Sequence, residues 1–238
     1  MVSQPLKTNL PSTIELPCSD DIPVDNEDQN LLPNLLLFLL TRIWSERMDW
    51  FFGVDMAVYH TTGISPKVPV VPDAFLSLGV ERKKGGKSRR SYATWEENNT
   101  VPILALEMVS HRPNDEYDAK RDLYAKLGVL YYVIYNREYW QRDRHQPFEV
   151  YKLIDQTYQL QIGEPYWLPE VSIGIGRSRR ILGGIEQEVL LWFDADGQPY
   201  PTPDEIIQAT QSQLVAERQR ADRLAERLRA MGINPDEI

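Results

Sequence analysis

The sequence predicts an α/β (α+β) fold: a central mixed β-sheet flanked by helices, followed by a C-terminal helix able to form a short coiled coil. Three observations carry that prediction. A strand, a helix and a second strand follow one another between Val101 and Tyr135, an order that requires a right-handed crossover and parallel pairing of the two strands. Short apolar runs bounded by turn residues lie on both sides of this unit. The 238 residues are 42% hydrophobic, enough to bury a core in one domain and leave terminal extensions.

Residues 1–30 form a loose acidic arm. Pro5, Pro11, Pro17 and Pro23 recur along it without apolar periodicity, and its six acids face the single base Lys7. Residues 31–47 then place Leu35, Leu36, Leu39, Leu40, Ile43 and Trp44 on one helical face, so an amphipathic helix capped by Asp28 or Asn30 packs on the core.

Residues 51–60 read as a first strand and residues 70–79 as a second, with Asp73 near its start. The third, residues 101–109, is too apolar for an exposed edge and belongs in the middle of the sheet. Asn114 is placed to cap a helix running to about Leu127, and Gly128 stands where a left-handed residue ends one. Residues 129–135 make the fourth strand. Residues 148–153 and 158–162 read as a hairpin on the sheet edge.

Residues 173–184 show glycines and arginines without a period, and residues 189–193 read as a last short strand. Thr202, Pro203 and Glu205 make a capping box with proline at the first helical position, opening a helix to about Met231. Leu214, Ala221 and Leu228 repeat every seven residues, with Leu224 and Met231 at the complementary positions and Glu217 interrupting them. A dimerising coiled coil and a helix lying on its own domain both satisfy that pattern. The division is therefore arm 1–30, domain 31–200 and helix 203–238.

Composition limits the function. The formal net charge of −9 is the opposite of the usual footprint of a nucleic-acid binder. Against that, Arg82, Lys83, Lys84, Lys87, Arg89 and Arg90 crowd one segment, which either meets phosphates or is a solvated hairpin tip. The lone Cys18 excludes an intramolecular disulfide and fits a reducing cytoplasm. Residues 31–40 are too short to span a bilayer and lack a basic lead-in, so no membrane association is expected.

The chemistry gathers at two acids. Asp73 and Glu107 each sit among apolar neighbours, where a carboxylate must be neutralised, hydrogen-bonded or bound to a metal. Magnesium or manganese takes hard oxygen ligands, commonly one or two carboxylates with waters retained, and two neighbouring strands would bring these acids together. Lys120 shares a helical spacing of four with Glu116 and Tyr124, which points it toward the end of the central strand. The bland readings are a turn aspartate, a strand-end glutamate pairing with Arg112, and a surface lysine bonded to Glu116.

Other motifs fail. Gly86-Lys87-Ser88 lacks the leading glycine of a phosphate-binding loop, since Glu81 stands there, and Gly174-Ile-Gly176 lacks the third glycine of a dinucleotide fingerprint. His60, His111 and His145 show no metal-ligand spacing.

The run from Val71-Pro-Asp73 through Glu107-Met-Val-Ser110 to Lys120 and Tyr124, then Gly128-Val and Tyr131-Tyr-Val-Ile-Tyr135, resembles the Uma-type restriction endonucleases abundant in cyanobacteria. These belong to the PD-(D/E)XK nuclease superfamily. The resemblance covers roughly residues 30–200 and extends to the tail ending Met231-Gly-Ile-Asn-Pro235. It implies a restriction-endonuclease-like fold and a Mg-dependent DNA phosphodiesterase site. Asp73 matches the first acid of the motif and Glu107 the second, with the Met108 carbonyl as a further metal ligand. The motif's lysine falls at Val109, which bears no charge. The resemblance implies that the lysine has migrated to Lys120, with Tyr124 orienting it, and that Glu46 is an outlying candidate for an additional acid.

The expected function is a cytoplasmic, dimeric, Mg- or Mn-dependent DNA endonuclease. The alternatives are a catalytically silent interaction module working through the coiled coil and arm, and a subunit acting on RNA or a nucleotide.

Overall fold

The computed structural model describes residues 10–19, 26–111, 116–232 and 234–235. In chain order these form α1 (Glu27–Ile43), β1 (Trp50–Val54), β2 (Val58–Tyr59), β3 (Ala74–Leu78), β4 (Tyr92–Ala93), β5 (Leu104–Met108), α2 (Ala119–Leu127), β6 (Tyr131–Tyr135), α3 (Trp140–Asp143), β7 (Phe148–Ile154), β8 (Thr157–Leu160), β9 (Tyr166–Leu168), β10 (Ile173–Leu182), β11 (Ile185–Phe193) and α4 (Pro203–Ala230). No described helix is long and apolar enough to cross a membrane.

Six strands make the main sheet in the order β1-β3-β5-β6-β7-β8. Its only parallel pair is β5 with β6, the two joined through α2, as the crossover rule requires. β5 is buried along its whole length. Alternation along it sets the architecture: Leu104, Leu106 and Met108 join the core beneath α1 and β11, while Ala105 and Val109 join the core beneath α2. Glu107 therefore shares the α2 face with Ala105 and Val109.

Several elements differ from expectation. α1 begins earlier, because the Asn26 side chain accepts from the Gln29 amide and Glu27 and Asp28 occupy the first turn, where acids favour the helix dipole. The expected strand 51–60 is two strands, broken at Asp55, whose φ of 46° is left-handed and whose amide donates to the Asp73 carbonyl. α2 starts at Ala119, so Glu116 lies in the turn before it, off the expected helical face. Asn114 and Arg112 fall outside the described residues. Gly128 closes α2 in the left-handed region, φ 88°.

The segment without a period is the long strand β10, paired in register with β11 through a Gly183-Gly184 turn in which both φ angles are positive. This pair and β9 form a second sheet packed with α1 on one face of the first. The capping box opening α4 is present on both sides, with Thr202 accepting from the Glu205 amide and Glu205 from the Thr202 amide. No residue of α4 is buried, and its first turn is tied to the second sheet by the Gly183 amide donating to Asp204 Oδ2 at 2.8 Å and by the Arg180–Glu205 pair.

Candidate active site

One end of the main sheet holds the C-terminal ends of β5 and β6 and the entry to β3, because β3 runs antiparallel to β5 with Ala74 opposite Leu106. Asp73 immediately precedes β3 and Glu107 is the penultimate residue of β5. The two acids meet for that reason.

The Met108 amide donates to Asp73 Oδ2 at 2.6 Å. An extended residue points its amide and carbonyl to the same side. The Met108 carbonyl accordingly sits on the Asp73 side of the strand, where it accepts from Gln29 Nε2 at 3.2 Å. Among the described residues no other hydrogen bond reaches the Asp73 carboxylate. Burial, then the charge of Glu107, push the Asp73 carboxyl well above the ordinary carboxylate range.

Glu107 is 1% exposed. Lys120 Nζ donates to its Oε2 at 2.9 Å and the Tyr124 hydroxyl to its Oε1 at 2.6 Å. Burial raises the Glu107 carboxyl, although Lys120 and Tyr124 oppose the shift. Burial also works against the Lys120 ammonium, but Glu107, Glu116 and Asp73 outweigh it and hold the ammonium above its usual value. Tyr124 is kept strongly protonated by burial and by Glu107. Lys120 and Tyr124 reach the same carboxylate because they lie four residues apart on one face of α2.

Val109 points to the α2 face two residues beyond Glu107, and its side chain is packed in the apolar core. The ammonium at this carboxylate is that of Lys120. Asp73, Glu107, the Met108 backbone, Lys120 and Tyr124 are thus brought together.

Two other neighbours complete the site: Glu116, which the sequence already groups with Lys120 and Tyr124, and Gln29, which it does not signal. Glu116 is buried, its carbonyl accepts from Tyr132, and its charge raises both Asp73 and Glu107. Gln29 reaches the site from α1, and nothing in its spacing signals that role.

The donor set suits a hard divalent cation. Two carboxylates lie beside a backbone carbonyl, and burial first, with the neighbouring acids adding to it, pushes both carboxyls above the ordinary range. Among the described residues no group of three or more His, Cys, Asp and Glu side chains forms a metal cluster.

The remaining candidates lie elsewhere. The Arg82 amide donates to the Met48 carbonyl at the start of β1, whereas Asp55 meets Asp73 at its end. The intervening extended chain spans about 20 Å. Much of the basic segment is also engaged internally. Arg89 forms a two-pronged pair with Glu97, Arg82 covers the Trp50 ring, Lys84 bonds Glu96 and Glu97, and Arg90 donates to the Ile14 carbonyl. Lys83 and Lys87 have no partner among the described residues. Glu46 is exposed beyond α1, at that same distant end.

A mixed sheet with the parallel β5–β6 pair at its centre, Glu107 at the end of β5, Asp73 at the entry to neighbouring β3 and a lysine and a tyrosine on the crossover helix is consistent with a restriction-endonuclease-like fold. A family model described as "Putative restriction endonuclease", Uma2, matches residues 22–180, more than half of the chain. The chain belongs to the Uma2 family. No curated protein and no solved structure matches it.

Proposed function

We propose that the protein is a Mg- or Mn-dependent endonuclease that hydrolyses DNA phosphodiester bonds. The observation carrying this reading is the junction of Glu107 with Lys120 and Tyr124 beside Asp73. Asp73, Glu107 and the Met108 carbonyl would hold the metal. A metal bound there would polarise a phosphoryl oxygen and would lower the pKa of an attacking water.

The protein's own groups do the rest. Lys120, held as ammonium, orients the attacking water and offsets charge growing on the phosphoryl group. Tyr124, held protonated, keeps its hydrogen on Glu107 and fixes that carboxylate's rotamer. Lys83 and Lys87 meet the substrate at a distance from the bond being cut. Two copies associate through α4, whose Leu214, Leu224 and Met231 are 70%, 51% and 73% exposed. Cytoplasmic localisation follows from a DNA substrate and an unpaired, exposed Cys18.

The α4 helix, none of whose residues is buried, also favours a second reading, an assembly module with a silent nuclease fold. Incubation with Mg or Mn and single-stranded, duplex and branched DNA separates the two. The nuclease cuts at least one, and Asp73→Asn loses about 100-fold or more of that rate. DNA left intact, or cut equally well by Asp73→Asn, refutes the nuclease reading.

A further inference from the structure

The connection from β6 to β7, residues 136–147, emerges at the same end of the sheet as Glu107, and a buried polar network fixes its shape. Asn136 is fully buried. It donates to the Tyr117 hydroxyl at 3.0 Å and to Asp143 Oδ2 at 2.9 Å, and its own Oδ1 accepts from the Tyr139 amide. Glu149, 4% exposed, accepts from the Gln146 amide at 2.9 Å, the Tyr151 hydroxyl at 2.6 Å and His145 Nδ1 at 3.2 Å. Tyr117 stacks on His145 with ring centroids 3.6 Å apart and planes 9° from parallel. A surface loop tied down so completely is built to present something.

It presents cations. A carboxylate on His145 Nδ1 leaves Nε2 as the group free to face a ligand, and the ring is partly exposed. Arg144 is exposed and has no partner among the described residues. Its φ of 61° is left-handed, a conformation costly for a side chain of this kind. Arg121, in the first turn of α2, is likewise unpartnered there. Tyr117 of this network lies in the turn that opens α2, four residues before Arg121, which sets Arg121 at the network's α2 side.

The other charges nearby are accounted for. Arg142 pairs with Asp143 and donates to the His111 carbonyl, Arg137 pairs with Asp28, and Glu138 lines a cavity against α1. Asp118 and Asp122 share the face of α2 opposite Lys120 and Tyr124. Glu116 is buried toward the acids.

Register supplies the distance. Glu107 pairs with Ile134 and Ile134 with Glu149, so the three lie in one row across adjacent strands. Two strand spacings put Glu149 about 10 Å from Glu107, half the distance to the lysine-rich segment.

We propose that Arg121, Arg144 and His145 form a cationic track that grips the phosphodiester backbone of duplex DNA beside the acid centre. It rests on the nuclease reading of that centre and adds the surface on which the substrate lies. The track explains how an acidic chain holds a polyanion: its two arginines have no ion pair among the described residues, and His145, paired with Glu149, stands next to Arg144 with its ring partly exposed.

Fluorescence anisotropy of a labelled duplex, with the full chain in chelator so that nothing is cut, tests it across a salt series. The triple variant Arg121→Gln, Arg144→Asn, His145→Gln is used because asparagine tolerates the left-handed backbone. It should bind at least about tenfold more weakly, with a log–log salt slope shallower by about two to three. Should that variant melt early, Arg121→Gln alone, at a half-buried helix position, should flatten the slope by about one. Parent-like affinity and slope in a folded variant overturn the track while leaving the nuclease reading standing. A parent that binds neither duplex nor metal overturns both.

Discussion

Lys120→Met isolates the energetic role of the ammonium at Glu107. Methionine keeps most of the apolar stem and removes only the charge and its hydrogen bonds. The Glu107 side chain is 2% exposed and that of Lys120 19%, so the lost pair is buried on the acid side and partly hydrated on the other. Stranding one member of a buried pair costs roughly 3–5 kcal/mol, and the hydrated lysine end places this case near the lower figure, about 3 kcal/mol. For a chain of this size that lowers the melting temperature by roughly 6–12 °C.

The pH dependence identifies the cause. The folded-state pKa of Glu107 already lies above its ordinary value, and removing Lys120, which pulls it down, raises it further. A carboxyl raised in the folded state contributes stability that is fully present below its unfolded pKa and is lost as pH rises through the folded pKa. The deficit of Lys120→Met should therefore be large at about pH 8, smaller at about pH 5, and gone below the ordinary glutamate pKa of about 4.3. Thermal unfolding in chelator at the two pH values, read by circular dichroism, gives the answer. A deficit under about 1 kcal/mol, the range of exposed pairs, or one of equal size at both pH values refutes the buried-pair account.

Further outcomes follow from the same geometry. Asp73→Asn retains an acceptor for the Met108 amide and removes a carboxylate whose pKa burial and Glu107 push up. It should melt above the parent at about pH 8 in chelator, the gain fading toward pH 4 where the parent's acid is also neutral. Tyr124→Phe leaves Glu107 Oε1 without its 2.6 Å donor and should cost about 1.5–3 kcal/mol by denaturant unfolding. Gly53→Ala would bring a Cβ to 2.3 Å from the Phe75 ring and should cost about 1–3 kcal/mol by the same measurement. Deleting α4 from Gln211 onward, a stretch with no buried residue, should leave the melting temperature of the remainder unchanged and abolish self-association in analytical ultracentrifugation.

Much of the fold was legible because its signals are local. The apolar run of β5, the crossover to β6 and the Thr202 capping box each depend on neighbours in sequence, and each is present as read. The pairing of Asp73 with Glu107 was legible for the same reason, since adjacent strands with acids at matching ends must bring them together. Lys120 and Tyr124 followed from helical spacing, and both land on one carboxylate.

What escaped depends on tertiary contact. β10 hid because its glycines relieve crowding: a Cβ on Gly176 would stand 2.9 Å from Pro165, a contact no local pattern announces. Gln29 reaches the Met108 carbonyl from α1, a contact that its place in that helix does not announce. The lysine-rich segment read as a phosphate site by charge alone. Its bonds to Glu96, Glu97 and backbone carbonyls, and its place at the far end of β1, come from the packing of distant parts of the chain.

The central claim is that Asp73 and Glu107 form one divalent-metal site. Isothermal titration of Mn into the parent chain and into Asp73→Asn and Glu107→Gln tests it without reference to any substrate. The account predicts saturable binding of one ion by the parent and loss of that binding in both variants. Absence of heat with the parent, or binding by either variant that matches the parent, would contradict it.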